Sequence, residues 1–233
     1  MPKLTELTQT TLDRAILFDF EMREADDTPA LIGVLCEQDF RQVALDPKLH
    51  IAAKYTNNKE DDSRVETANP HEYLAALIER AEIEKRLLIA YTNHELNVLT
   101  EMFRTHREAT LVNTTLEQLY LNANAKRWFN RNYPAECETA LKTERARLVQ
   151  AGQLPPSGRA KLGLKPLLKM PVVKYAKANR VGIGSPAKAI AYVRSHSDPL
   201  TTAAKRKWSN LLTYNAHDVI GMQHLLQFIL NHR

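Results

Sequence analysis

Four acidic side chains stand at positions from which they could share one metal site. Two lie close together near the N-terminus, one lies in the first half of the chain and one near the C-terminus: Asp19, Glu21, Glu95 and Asp218. Carboxylate oxygens are the ligands that hard divalent cations prefer. Two such ions can activate a water and stabilise a leaving oxygen. The chemistry that this set could perform is therefore two-metal cleavage of a phosphodiester bond.

The first two acids end the apolar segment 15–18, which is typical of a strand buried on both faces. Side chains alternate across a strand, so Asp19 and Glu21 are expected on one face and Phe20 on the other. An isolated D-x-E pattern is short, and a solvated strand end is the alternative interpretation.

Glu95 is predicted to open a helix directly after a strand. Residues 70–86 have one apolar helical stripe, residues 87–91 are typical of a buried strand, and Thr92-Asn93 offers an N-cap. The carboxyl end of a strand is where ligands bind in α/β sheets. The alternative is a glutamate that only complements the helix dipole.

Tyr214 and Asp218 lie four residues apart in a predicted C-terminal helix over 208–229. This spacing places both side chains on one helix face, one turn from each other. A tyrosine hydroxyl beside a carboxylate suits a group that positions water next to a metal ligand. The alternative is a tyrosine at the edge of the core and a surface aspartate.

The order of these motifs resembles the DEDD superfamily of 3′–5′ exonucleases, in its tyrosine branch, over roughly residues 13–231. The resemblance implies that Asp19, Glu21, Glu95 and Asp218 bind two Mg²⁺ or Mn²⁺ ions and that Tyr214 orients the attacking water. The histidine branch would need a histidine where Thr213 stands. His217 is out of register for that role and is predicted to be a surface residue.

The resemblance also implies an RNase H-like α/β fold. Its mixed five-stranded sheet would have an antiparallel meander followed by parallel strands, flanked by helices, with a helical insertion over 114–200 and C-terminal helices. The chain is predicted to be one domain, 1–233. Further predictions are strands over 30–36, 40–45 and 110–113, helices over 114–130, 134–150 and 186–196, a helical piece from Leu164, a turn over 182–186, and connections over 46–69 and 152–163.

The net charge of +5 is distributed unevenly along the chain. Residues 1–125 have 13 Lys+Arg against 22 Asp+Glu, a net of −9, and residues 126–233 have 19 against 5, a net of +14. Lysine and arginine that neutralise phosphates supply affinity for nucleic acid without sequence preference. The basic half is therefore predicted to bind a nucleic-acid backbone.

Cations in three clusters are the candidates for this binding, and single-stranded bases could stack on the aromatic ring within the first. The candidate nucleic-acid-binding residues are Lys126, Arg127, Trp128, Arg131, Lys161, Lys165, Lys169, Lys205, Arg206 and Lys207. For Trp128 and also for Trp208, beside the third cluster, a place in the core is an equally favoured alternative.

The chain contains no apolar run of 18 residues and no apolar signal region at its N-terminus, so we expect a cytoplasmic protein without a membrane partner. Cys36 and Cys137 match no zinc spacing and are expected to be free thiols. The expected partner is nucleic acid, single-stranded or with a 3′ end. Two alternatives to the exonuclease remain open: a non-catalytic RNase H-like binding module, favoured by Glu95 in place of the usual aspartate, and a structure-selective endonuclease on the same fold.

Overall fold

The computed structural model describes residues 1–57, 65–177, 185–196 and 199–233. Within these ranges the strands are β1 Ile16–Glu21, β2 Leu31–Cys36, β3 Asp39–Ala44, β4 Val65–Thr67, β5 Leu88–Ala90 and β6 Tyr120–Asn122. The α-helices are α1 Gln9–Arg14, α2 His50–Asn57, α3 Pro70–Glu84, α4 His94–Phe103, α5 Ala109–Leu119, α6 Lys126–Asn132, α7 Pro134–Gln150, α8 Leu164–Leu168, α9 Pro186–Ser195 and α10 Thr202–Asn231. Short 3₁₀ helices are found at Leu4–Glu6, Pro47–Leu49 and Pro171–Val173.

The described strands form one mixed sheet in the order β4-β3-β2-β1-β5-β6. Strands β1, β2 and β3 are an antiparallel meander, whereas β5 lies parallel to β1, β6 parallel to β5, and β4 parallel to β3. The α/β class and the change from antiparallel to parallel pairing are as predicted from the sequence. The sixth strand, β4, was not expected.

Helices cover both faces of the sheet, and the alternation along β1 divides its side chains between two cores. Phe18 and Phe20 pack on one side with apolar residues of α3, α4 and α5. Leu17 packs on the other side with residues of α6, α7, α8 and α10. Asp19 and Glu21 share the face of Leu17, so the acids lie on the side of the sheet that α10 covers.

The strand predicted over 110–113 is wrong, because these residues belong to helix α5. Thr110 and Val112 have β-branched side chains that favour a strand, but Val112, Thr115 and Leu116 form a buried stripe at helical spacing. Packing of that stripe outweighs the local preference. The predicted helix over 114–130 is accordingly interrupted by β6, which is the strand that completes the sheet beyond β5.

The connection predicted over 46–69 is also wrong in part, since α2 and β4 lie within it. Leu49, Ala52 and Ala53 are fully buried there beside α9 and α10, which explains why a polar stretch contains a helix. Residues 58–64 of this connection and 182–184 of the predicted turn lie outside the described residues. Strand β6 falls inside segment 114–200, which was predicted to be a helical insertion. For the residues after β6, the helical insertion stays a prediction.

Helix α10 spans 30 residues, about 45 Å at the usual rise, and packs along the sheet and against α8 and α9. The approach of α8 depends on Gly221, where a Cβ atom would lie 2.4 Å from Leu168 Cδ1. Among the described residues, no helix combines the length and apolar character that a membrane span requires.

Candidate metal centre

Three acids from the two ends of the chain converge where α10 crosses β1. One carboxylate oxygen each from Asp19, Glu21 and Asp218 lies within 4.8 Å of the other two. The predicted i, i+2 pairing of Asp19 and Glu21 on one strand face is confirmed, as is the burial of Phe20 on the opposite face. Asp19 and Asp218, 199 positions apart in the sequence, therefore meet in one cluster.

Two oxygens of this cluster are buried without a hydrogen-bond donor among the described residues: Glu21 Oε1 and Asp218 Oδ1. Buried polar atoms are almost always paired, because an unpaired one loses its hydration without compensation. Carboxylate oxygens as close together as those of the three acids suit Mg²⁺ or Mn²⁺, which prefer oxygen ligands. The three acids could therefore hold a metal ion.

Glu95 lies in the first turn of α4, as predicted, and is 5% exposed. Thr92 Oγ1 accepts a hydrogen bond from His94 N at 3.0 Å and donates one to Glu95 Oε2 at 2.9 Å. Thr92 thus ties the helix start to the glutamate carboxylate. Glu95 is not part of the 4.8 Å group, although its charge acts on all three of the clustered acids.

Burial and mutual repulsion disfavour the charged forms of these acids. Burial raises the pKa of Asp19 well above its usual value, and the charges of Glu21, Asp218 and Glu95 raise it further. The pKa of Glu21 is raised in the same way, first by burial and then by Asp218. Burial also raises the pKa values of Asp218 and Glu95. A bound cation would offset this repulsion.

One cation of the chain already faces the acids. Lys165, at the second position of α8, places its Nζ 3.1 Å from Asp218 Oδ2 and donates a hydrogen bond to the Tyr214 hydroxyl. The same ammonium lies 3.6 Å from the centre of the Tyr214 ring. Its charge lowers the pKa values of Asp19, Glu21 and Asp218. Because one side chain contacts both residues, the predicted common face of Tyr214 and Asp218 is confirmed.

Replacement of Lys165 by Met is expected to destabilise the metal-free protein at neutral pH. Breaking a buried ion pair typically costs about 3–5 kcal/mol. Lys165 keeps 26% of its side-chain exposure, so we expect roughly 1–3 kcal/mol here. Thermal unfolding in EDTA measures this loss, and saturating Mg²⁺ should restore more stability to the variant than to the wild type. The exposed Lys161→Met is the control, and an equal loss in both variants would contradict the counter-ion role.

The prediction that His217 is a surface residue is wrong. His217 is 5% exposed and its Nδ1 forms a hydrogen bond of 3.2 Å with the Tyr175 hydroxyl. Helix α10 is covered by the sheet on one side and by α8 and the following 3₁₀ helix on another, so residues beside Asp218 are buried as well. The apolar stripe of the helix did not reveal this second cover.

The other candidate nucleic-acid-binding residues lie on α6, on either side of α8 and in the first turns of α10. Lys126, Arg127, Arg131, Lys161, Lys169, Arg206 and Lys207 are exposed, and Lys205 is partly buried over the ring of Tyr55. Trp128 is partly buried and packs edge-on against Phe129 and Phe228. Trp208 is fully buried and donates a hydrogen bond to Thr56 Oγ1 at 2.7 Å, so it is a core residue. Lys165 is the candidate that directly contacts the acidic cluster, through Asp218.

A groove of about 480 Å³ opens between α7 and α8, beside the helix that carries Lys165. This volume is typical of small-molecule sites. Its lining combines apolar residues, among them Ala140, Pro166 and Met170, with the charged residues Glu136, Glu144 and Lys169.

Sequence reasoning missed the partners of two polar residues of the site. Asn215 donates hydrogen bonds to Asp19, and Thr92 orients Glu95. Asn215 lies four residues after Leu211 and four before Val219, on the apolar stripe of the helix, so spacing could have indicated its burial. Nothing in the pattern indicated its partner.

Comparisons of the chain with protein-family models, with curated proteins and with solved structures gave no significant match.

Proposed function

We propose that the chain is a metal-dependent 3′–5′ exonuclease of RNase H-like fold that hydrolyses single-stranded nucleic acid. The observation that carries the proposal is the convergence of Asp19, Glu21 and Asp218 with two buried, unpaired carboxylate oxygens. The sheet supports it as well, since an antiparallel meander followed by parallel strands is what the resemblance implies.

The acids, Tyr214 and Lys165 would have different roles in the reaction. Asp19, Glu21 and Asp218 would hold the metal, and Glu95 would complete the ligands of a second ion. Bound Mg²⁺ or Mn²⁺ would supply the acidity that activates water and the charge that stabilises the leaving oxygen. The Tyr214 hydroxyl, one turn before Asp218, would accept a hydrogen bond from the attacking water and so align it. Lys165, once free of Asp218, would neutralise a phosphate of the substrate.

The exposed cations and the groove between α7 and α8 suggest how a single strand of nucleic acid would bind. Lys169 borders the groove one turn after Lys165, and the two lysines would contact successive phosphates. Such contacts are independent of sequence and weaken steeply with added salt. We therefore propose a substrate bound by its backbone.

A 5′-labelled single strand of DNA or RNA, incubated with Mn²⁺, Mg²⁺ or EDTA, tests the proposal. We expect a metal-dependent ladder that shortens from the 3′ end, and no ladder with Asp19→Asn. A circular single strand should resist cleavage, because an exonuclease needs an end. Cleavage of the circle would instead support the endonuclease.

A non-catalytic binding module is the second candidate, because Glu95 lies outside the 4.8 Å group and is hydrogen-bonded to Thr92. Such a protein would bind single strands in a salt-sensitive manner without degrading them in any metal. Both candidates predict that Asp19→Asn binds single-stranded nucleic acid as the wild type does. Degradation of the strand by the wild type therefore decides between the exonuclease and the binding module.

A further inference from the structure

Asp19 belongs to a row of three residues that crosses the sheet. In the register of the strands, Asp19 of β1 is paired with Gly33 of β2, and Gly33 is paired with Gln42 of β3. Paired residues project to the same face of a sheet. The row therefore faces α10, and Asn215 of that helix lies directly over its middle position.

Hydrogen bonds connect the two ends of this row through Asn215. Its Nδ2 donates to the carbonyl oxygen of Asp19 at 3.2 Å and to Asp19 Oδ2 at 3.4 Å. Its Oδ1 accepts a hydrogen bond from Gln42 Nε2 at 3.0 Å. Asn215 is fully buried, so each end of its amide has a protein partner in place of water.

The direction of these hydrogen bonds is fixed by a backbone carbonyl. Gln42 Nε2 also donates to Leu212 O at 2.9 Å, and a carbonyl oxygen can only accept. The NH₂ group of Gln42 must therefore point toward α10, which in turn requires that Asn215 presents its oxygen to Gln42. The NH₂ group of Asn215 is then left to face Asp19.

Gly33 provides the space for this arrangement. A Cβ atom at this position would lie 2.3 Å from Asn215 Oδ1 and 3.1 Å from Val219 Cγ2. The backbone of Gly33 does not adopt a positive φ, so the glycine is required for close approach and not for its conformation. Any side chain here would displace the Asn215 amide from the row.

We propose that Asn215, oriented by Gln42 over Gly33, is a positioning residue that fixes the Asp19 carboxylate for metal binding. The amide donates to Oδ2 and to the main-chain carbonyl oxygen of Asp19, and so fixes the orientation of this carboxylate beside Glu21 and Asp218. This inference rests on the proposed metal site. Partners that orient metal ligands typically contribute roughly 10–100-fold to metal affinity.

A double-mutant cycle with Asn215→Ala and Gln42→Met tests the proposal, with Mn²⁺ affinity measured by calorimetry on the EDTA-treated full chain. We expect Asn215→Ala to weaken Mn²⁺ binding roughly 10–100-fold. Gln42→Met should weaken it less, about tenfold, and should add no loss to Asn215→Ala, because Gln42 acts through Asn215. Thermal unfolding in EDTA separates these losses from a general loss of stability.

The outcomes distinguish this proposal from the one on which it rests. Mn²⁺ affinity within about twofold of wild type in both single variants would overturn the positioning role and leave the metal site intact. Additive losses would show that Gln42 does not act through Asn215. If the wild type itself binds no Mn²⁺, both proposals are wrong. Should Asn215→Ala fail to fold, the partly exposed Gln42→Met still carries the test.

Discussion

Asp218→Asn is expected to reduce metal-dependent cleavage by roughly 10³-fold or more, a larger loss than the 10–100-fold typical of outer metal partners. The substitution keeps the shape of the side chain but removes the charge of a carboxylate whose Oδ1 is buried and unpaired. It also leaves Lys165 without its partner at 3.1 Å. Single-turnover cleavage at saturating Mn²⁺ measures the loss, so that weaker substrate binding cannot account for it.

The matched control for this variant is Asp13→Asn, on the exposed face of α1. It makes the same chemical change outside the acidic cluster and should cleave at the wild-type rate. Salt-dependent binding of a labelled single strand should be retained by both variants, because neither substitution removes a lysine that we propose to bind phosphate. A cleavage rate for Asp218→Asn within a few-fold of wild type would exclude Asp218 as a metal ligand.

Divalent metal is expected to raise the thermal stability of the protein, and the increase should grow with pH. At a metal concentration of 100 times Kd, binding contributes about 2.7 kcal/mol, which corresponds to roughly 5–10 °C in Tm for a chain of this size. Protons compete with metal for carboxylates, so acidification weakens binding. Scanning calorimetry with Mg²⁺ or EDTA between pH 5 and 8 measures both effects.

The direction in which the stability of the metal-free protein changes with pH follows from the raised pKa values of Asp19, Glu21 and Asp218. Well below about pH 4, the usual pKa of these carboxyl groups in the unfolded chain, they are protonated in the folded and the unfolded chain alike and cost no stability. As pH rises toward the raised pKa values, the unfolded chain releases its protons first, so stability falls; above them the loss is constant.

The neutral variant Asp218→Asn provides the control for this pH effect. In EDTA its stability relative to wild type should increase between about pH 4 and 8, because it lacks one of the repelling charges. It should also gain less from Mg²⁺ than the wild type. A metal-free wild type that becomes more stable than the variant as pH rises would contradict the repulsion inferred for the cluster.

Sequence patterns predicted the centre of the sheet better than its edges. Strands β2 and β5 are continuous apolar segments and β1 begins with one, which is the pattern of central strands buried on both faces. The edge strands β4 and β6 are three residues long and carry little pattern of their own. Strand β6 also directly follows the last residue of α5, so no turn residues separate the two elements.

The acids themselves could be predicted because their spacing is local. Asp19 and Glu21 are two apart on a strand, and Tyr214 and Asp218 are four apart on a helix. The contact of Lys165 with Asp218 could not be predicted from the sequence, since α8 has only five residues. The position of α8 depends on the close packing of Leu168 at Gly221. The hydrogen bonds that connect Gln42 to Asp19 through Asn215 likewise depend on the register of the strands and on how closely α10 approaches the sheet.

The convergence of β1 and α10 also has a consequence for folding. Asp19 and Asp218 are 199 positions apart, so their contact closes nearly the whole chain into a loop. Contacts of such long range form only after their entropic cost has been met by the rest of the structure. The metal would then recognise the completed fold and no earlier intermediate, and in refolding experiments the recovery of Mn²⁺ affinity should mark the last step.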